Sequence, residues 1–333
     1  VCVLCHTPQT VDPDTGNTVD MPVMTHRIHM GASLPSVQAG KPYKIIGNSQ
    51  SVHDYSKIVF PADARSCGSC HEAGAAQAQN VFNASRAACG ACHDNVNFET
   101  GENHLNLPQR SDTFCSNCHM PQGEYDFDTS IKGAHTIPRL SGMLPGIAFE
   151  LLAVDGASPG KSPTVTFSLK DRSGRPILPS QMRSLSLILA GPNSDFATYV
   201  SEDVRRAEGP GDGRYYWTFI NKLPENASGS WTVGIEGRRD AVLLAGTKAE
   251  FAAREAGVNK TIAFSVDGSA VRARRQVVST EKCNSCHGSL TFHGDNRNTV
   301  EQCAICHNPP KVSGGSAPAA IDFRVMIHRL HTG

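Results

Sequence analysis

The sequence predicts a multidomain chain in which cysteine- and histidine-rich modules, mostly irregular or helical, flank an all-β sandwich or split-barrel domain. Two observations predict this. All twelve cysteines lie outside one long central stretch. That stretch carries short segments of alternating polarity separated by turn signals. The division places a first module at residues 1–138, a β domain at 139–278 and the start of a second module at 279–333.

A chain of 333 residues is long enough for two or three domains. Lys and Arg number 31, as do Asp and Glu, so the balance points to no nucleic-acid partner and no anionic membrane surface. No run approaches the ~18 apolar residues of a spanning helix. No signal peptide is visible. Val1 stands almost inside the first motif, which reads as a processed or truncated start. Aromatics make up 6% of the chain, and the flanking modules are rich in Gly, Pro, Asn, Asp and Ser. Such stretches bury too little side-chain surface to offset their conformational entropy. A large, flat, apolar group is expected to supply the core there.

The motifs name that group. Every cysteine falls in a Cys-x-x-Cys pair followed at once by histidine. The six are Cys2 and Cys5 with His6, Cys67 and Cys70 with His71, Cys89 and Cys92 with His93, Cys115 and Cys118 with His119, Cys283 and Cys286 with His287, and Cys303 and Cys306 with His307. This is the attachment signature of c-type haem. Two thiols three positions apart on a helical turn reach both vinyl groups of one porphyrin, and the next residue offers its imidazole to the iron. Zinc ribbons need two Cys pairs per metal and no histidine after each, and iron–sulfur sites use other spacings. Six motifs with no cysteine left over predict six covalent haem c groups.

Eight histidines remain: His26, His29, His53, His104, His135, His293, His328 and His331. None falls between Pro138 and Arg275, where no motif exists. This segregation predicts distal ligands and bis-His iron. His26 and His29 are three apart and share a helix face, as do His328 and His331, so each pair can serve two neighbouring haems. His104, His135 and His293 suit distal ligation from loops. His53, before an apparent strand at Tyr55–Phe60, stands between ligand and plain polar residue. Met120, Met30 and Met143 read as packing.

In the central stretch the expected strands are Ile147–Val154, Thr164–Lys170, Ser184–Leu189, Tyr215–Ile220, Ser230–Glu236 and Thr261–Val266, with a helix at Thr247–Ala256. An internal repeat relates Cys2–Pro8 and Thr25–Gly31 to Cys303–Pro309 and Ile327–Gly333. The second copy stops where the first continues. Gly333 therefore reads as an interior position, and the chain as a window on a longer alternation of haem and β modules.

The sequence resembles the outer-membrane decahaem cytochromes of the OmcA/MtrC family. The resemblance rests on Cys283-x-x-Cys286-His287 with Leu290-x-x-His293-Gly294-x-x-Arg297, on Cys306-His307-Asn308-Pro309 with Ile321-Asp322-Phe323-x-x-Met326-Ile327-His328-x-x-His331-x-Gly333, and on Asn97-Phe98-x-x-Gly101-x-Asn103-His104. It implies β domains alternating with pentahaem domains. Residues 1–138 would then carry haems two to five of one pentahaem domain, and 279–333 would open the next. It also implies that positions equivalent to His293, His26, His29, His104 and His135 supply the distal ligands of one unit, with His53 left over. It further implies electron transfer to extracellular acceptors such as metal oxides and flavins, at the outer face of the outer membrane.

The expected function is electron transfer along closely spaced haems, not enzyme catalysis. The alternative is a multihaem reductase, which needs one iron with an open axial site. All six motif histidines are present and spare histidines are plentiful, which favours the conduit. Expected partners are other redox proteins, or haem modules of the same or neighbouring chains joined as a dimer or filament. Haem attachment of this kind occurs outside the cytoplasmic membrane, in the periplasm or at the cell surface.

Overall fold

The computed structural model describes residues 1–76 and 78–332. Gln77 and Gly333 lie outside the described residues, and so does the reading of Gly333 as an interior position. The chain divides into two compact units, Val1–Ile137 with Cys286–Gly288, and Pro138–Ser285 with Ser289–Gly333.

The first unit is built from short pieces: helix α1 at Met21–Met30, α2 at Pro35–Gln38, a hairpin of β1 at Lys44–Ile46 and β2 at Val52–Asp54, then helices α3 at Arg86–Cys92, α4 at Cys115–Cys118 and α5 at Ile131–Ala134. Local chemistry sets their starts. Proline opens α1 and α2, where its missing N–H is harmless. Ser85 and Ser130 cap α3 and α5 by accepting from the N–H groups of Ala88 and Gly133. The side-chain core is small: Leu34, Tyr43 and Ile45, with Met24 and Ile28 of α1 against them. Helix α1 packs on α3, and a polar tie secures the contact. The Arg27 guanidinium lies 4.6 Å from the Tyr43 ring centre and donates to Asp94 at 3.0 Å, while Asp94 also accepts from the Ser36 N–H at 2.9 Å. The apparent strand at Tyr55–Phe60 is not formed. Residues 56–57 turn instead, and the strand register is met earlier, with His53 of β2 opposite Ile45 of β1.

In the second unit, β3 (Ala148–Asp155), β4 (Thr164–Lys170) and β7 (Arg214–Thr218) make a three-stranded sheet. The other sheet has the order β10 (Lys260–Ser265), β8 (Ser230–Leu243), β5 (Ser184–Gly191), β6 (Thr198–Asp203), with β9 (Phe251–Ala256) also paired to β8. All pairings are antiparallel. The sheets share one core, to which β4 gives Val165, Phe167 and Leu169 and β5 gives Leu185, Leu187 and Leu189. These are two sheets facing each other and not a closed barrel. Helices α6 (Thr280–His287), α7 (Val300–Cys306) and α8 (Phe323–Thr332) follow.

The helix expected at Thr247–Ala256 is a turn followed by strand β9. Alanine-rich composition favours helix in isolation. The C-terminal half of β8, however, leaves a sheet edge open, and β9 closes it with Arg239 opposite Glu255 and Ala241 opposite Ala253. A buried ion pair of 2.8 Å between Arg239 and Glu255 fixes that register. Strand β6 went unread because Thr-Tyr-Val-Ser-Glu-Asp carries little apolar signal.

Strand β5 is buried on both faces. Leu185, Leu187 and Leu189 point into the shared core, whereas Ile188 and Ala190 pack with Phe196, Ile305 and Cys306. Helix α7 is thus seated on the outside of the sandwich. Gly234 on β8 makes room for it, since a Cβ there would lie 2.3 Å from the Gln302 side-chain oxygen and 2.8 Å from Ile305 Cδ1.

Glu202 on β6 ties the two sheets at one side. Its carboxylate accepts from Trp217 Nε1 of β7 at 2.8 Å, from the Ile220 and Asn221 N–H groups at 3.0 and 2.8 Å, and from Asn221 Nδ2 at 2.8 Å. Burial alone raises this carboxyl, but the four donors outweigh it and hold it below the usual glutamate value. Because the folded value is depressed, its stabilising contribution is complete above the unfolded value of about 4.3 and is lost as pH falls through the folded value. Glu202→Gln should therefore flatten part of the acid-side loss of stability in urea titrations across that window. An unchanged acid limb refutes the assignment. Leu187→Ala should lower the unfolding free energy by about 2–5 kcal/mol in the same assay.

Candidate haem sites

Each of the six motifs is built around one turn of helix. Two are 3-10 turns, at Cys2–Leu4 and Cys67–Ser69, and four lie on α3, α4, α6 and α7. In five of them the N–H of the motif histidine donates to the carbonyl of the first cysteine, at 2.8 to 3.1 Å for His6, His71, His93, His119 and His307. His287 lies within α6 itself. This turn closes the pentapeptide so that thiols and imidazole leave one side of it.

Cys5 and Cys70 close their turns in right-handed helical conformation. These two fall just past their 3-10 turns, as the residues that end them, and both are exposed. Their N–H groups still donate to the Cys2 and Cys67 carbonyls, at 3.2 and 3.1 Å, so the spacing within each pair is kept. Ser85 and Thr299 cap α3 and α7 by accepting from the Ala88 and Gln302 N–H groups, whereas Val1 and Ser66 make no such bond.

No disulfide joins any of the twelve cysteines. Burial pushes Cys92 and Cys303 up to about 11, which suits a sulfur in apolar contact and not a thiolate ligand.

Four of the eight spare histidines come to meet motif histidines. His26 stacks opposite His71 with ring centres 6.2 Å apart and planes 15° apart. His135 faces His93 at 6.3 Å and 60°, His104 faces His119 at 6.1 Å and 38°, and His293 faces His307 at 6.2 Å and 35°. Direct stacking would bring the rings closer. With a metal–imidazole bond of about 2 Å and a ring radius of about 1 Å, two imidazoles on opposite sides of one metal place their centres about 6 Å apart. The four pairs therefore fit an iron between them. Among the described residues no group of three or more His, Cys, Asp and Glu side chains converges on a metal position, so the recurring unit is the imidazole pair.

A second feature prepares the rings for ligation. Nδ1 lies 2.7 to 2.8 Å from a backbone carbonyl in His6 (Val19), His29 (Thr25), His104 (Leu107), His135 (Ile131), His287 (Pro61), His307 (Ile321), His328 (Arg324) and His331 (Ile327). A carbonyl only accepts, so Nδ1 carries a proton, and in the neutral ring Nε2 then keeps its lone pair. Burial, joined by the charge of the facing imidazole, holds His26 and His93 below the ordinary value and so favours the neutral, ligating form. His53 is different. Its Nε2 is engaged by the Ser51 hydroxyl at 3.0 Å, and its ring stacks on Tyr55.

The backbone is shaped around these rings. His104 lies in a tight loop whose neighbours Asn103, Leu105 and Asn106 have positive φ. Gly101 closes that loop at φ +82°, where a Cβ would meet the Leu107 backbone at 2.6 Å. His293 itself has φ 52°, a conformation that costs a non-glycine residue about 1–3 kcal/mol, and a short bridge between Phe292 and Arg297 holds it there. Helix α1 places His26 and His29 one turn apart, and α8 does the same for His328 and His331. His29 meets the edge of Phe60.

Sequence reasoning missed two polar groups beside these sites. One is the Arg27–Asp94 tie, whose members adjoin His26 and His93. The other joins Glu236 of β8 to Arg297 and Gln302. Arg27 stands inside the His-Arg-Ile-His segment and could have been flagged. Glu236 carries no local signal, being 61 positions from its partner.

The chain is similar to known proteins. The multiheme cytochrome MtrC of Shewanella baltica (strain OS185) is 30% identical over 123 residues, covering 36% of this chain and 18% of that protein. The crystal structure of the outer membrane decaheme cytochrome OmcA superposes with a TM-score of 0.69 at 20% identity, over 98% of this chain and 53% of that one. The crystal structure of MtrC from Shewanella baltica OS185 gives 0.64 at 19% identity, over 99% and 56%. At such identities these structures share the fold, and the chain spans about half their length. A family profile described as outer membrane cytochrome MtrC/MtrF-like, domains II/IV, matches residues 1–135 and 275–333, more than half of the chain. The chain thus belongs to the MtrC/MtrF-like family of outer membrane multihaem cytochromes.

Proposed function

We propose that this chain binds six haem c groups, each tethered by one Cys-x-x-Cys pair and clamped between two imidazoles, and that it passes electrons along them. Membership of the family supports electron transport at the cell surface, with haem iron as the carrier. The observation that carries the finer reading is the set of four imidazole pairs, each joining a motif histidine to a spare one at about 6 Å. Each haem, when bound, supplies a one-electron couple. The chain's residues do the rest. The thiols would fix the macrocycle in place, with Cys5 and Cys70 as second tethers beside Cys2 and Cys67. The paired imidazoles would hold the iron between them and would keep substrate from it. The backbone carbonyls at Nδ1 hold the ring planes and raise ligand basicity. Residues 1–138 and 279–333 serve as haem modules and 139–278 as the β module between them.

Exposed apolar side chains near the motifs support the reading. Leu4, Phe114 and Met120 are largely uncovered, and they offer the apolar contact that a porphyrin face requires. With both sides of the iron held by imidazole, acceptors such as metal oxides, flavins or other redox proteins would be reduced without binding iron. No helix among the described residues is long and apolar enough to cross a membrane.

Haem quantitation on the purified chain should give six irons, all low-spin in a low-temperature spectrum. A stoichiometric high-spin iron in the unaltered protein would favour a reductase with one open site. His135→Ala should convert one iron to high spin, whereas His53→Ala should leave the spectrum unchanged. A His135→Ala spectrum identical to the parent's would remove the distal assignment.

A further inference from the structure

The buried ion pair between Glu236 and Arg297 takes part in none of the imidazole pairs. Glu236 projects from β8 and is 6% exposed. Its carboxylate accepts from Arg297 at 2.9 and 3.2 Å, one nitrogen to each oxygen, and from Gln302 Nε2 at 2.9 Å. Gln302, on α7, is fully buried. A carboxylate is retained in such surroundings only where donors and a cation compensate it. Stability alone does not call for the arrangement, since apolar side chains of similar volume do as well or better at buried ion pairs.

Its position suggests another use. Arg297 lies four residues after His293, on the loop that aims that imidazole. Its charge acts on His293 and on Cys303 and Cys306, the thiols of the motif ending in His307. The charge of Glu236 acts on His293 and Cys306 with the opposite sign. Both charges therefore bear on one haem site and offset each other there. Gly234 lets Gln302 and Ile305 close on the sheet, so the distance between strand and haem helix is fixed by backbone.

We propose that the β module sets the reduction potential of the haem held by His293 and His307, with Glu236 neutralising Arg297 beside it. The inference rests on the haem reading above. Reduction adds an electron to the site, and an uncompensated cation nearby stabilises the reduced form. The lower potential maintained by Glu236 distinguishes this haem by a charge contributed from 61 positions away, on a module that carries no haem motif of its own.

The test is a mediated potentiometric titration of the intact holoprotein. Glu236→Gln keeps the side-chain shape and leaves Arg297 charged, because guanidinium does not lose its proton. One one-electron component should move positive by a factor of about ten or more in its equilibrium constant, about 59 mV. The remaining components should stay in place. The double variant Glu236→Gln/Arg297→Gln should return that component towards its original position. The moved component should be the one whose iron turns high-spin in His293→Ala. An unmoved titration in a fully loaded Glu236→Gln variant overturns the proposal, as does a shift that persists in the double variant. Loss of low-spin ligation at this site in Glu236→Gln also overturns it, since the pair would then be a structural clamp. Haem quantitation separates the two levels: a parent chain without haem defeats the haem reading itself, whereas full loading with unmoved potentials defeats only this inference.

Discussion

A ring nitrogen held by a backbone carbonyl is the constraint on which the rest of this molecule depends. An imidazole is free to rotate and to exchange its proton between two nitrogens. In eight histidines here the backbone removes both freedoms, because a carbonyl oxygen at Nδ1 accepts a proton and cannot donate one. The same bond that chooses the tautomer aims Nε2. In the helical cases, His29, His135, His328 and His331, the carbonyl belongs to the residue four positions earlier, so the helix supplies it at no extra length of chain. In His104 and His293 the ring is aimed by a tight loop of positive φ instead. Two unrelated backbone devices thus reach one spacing between facing rings.

The chemistry was legible early because it is local. A Cys-x-x-Cys-His pentapeptide needs only about one helical turn to bring its ligands to one side, and five residues of sequence specify it. Less legible was the kind of turn: it is a 3-10 turn at Cys2–Leu4 and Cys67–Ser69 and an α-helix at the other four motifs. The histidines that face the motifs were legible as a group, through their confinement to the cysteine-rich stretches, but not as individuals. His93 pairs with His135 across 42 positions and His26 with His71 across 45, and no local rule connects such positions. His53 illustrates the limit from the other side. The sequence leaves it between ligand and plain polar residue, and the hairpin places Ser51 at its Nε2.

The β region was read well where one face is apolar and poorly where edges decide. Thr164–Lys170 alternates cleanly and forms as expected. Phe251–Ala256 has the composition of a helix and becomes a strand because β8 continues past the reach of β10 and needs a partner. That requirement lives in the sheet, not in the segment. Glu236 belongs to the same class. On β8 it looks like one polar residue in a strand, and its buried environment exists only once α7 lies over it.

Strand β5 has a consequence for how the molecule comes apart. Composition changes near residue 279, as though one module ended and another began. Cohesion follows a different line. The leucines of β5 hold the sandwich and its Ile188 and Ala190 hold Ile305 and Cys306, so a single strand serves as the floor of one compartment and the ceiling of the next. Peeling α7 away would wet an apolar sheet face, and melting the sandwich would strip α7 of its seat. Under load or heat these two parts should yield together, as one cooperative block with a shared wall.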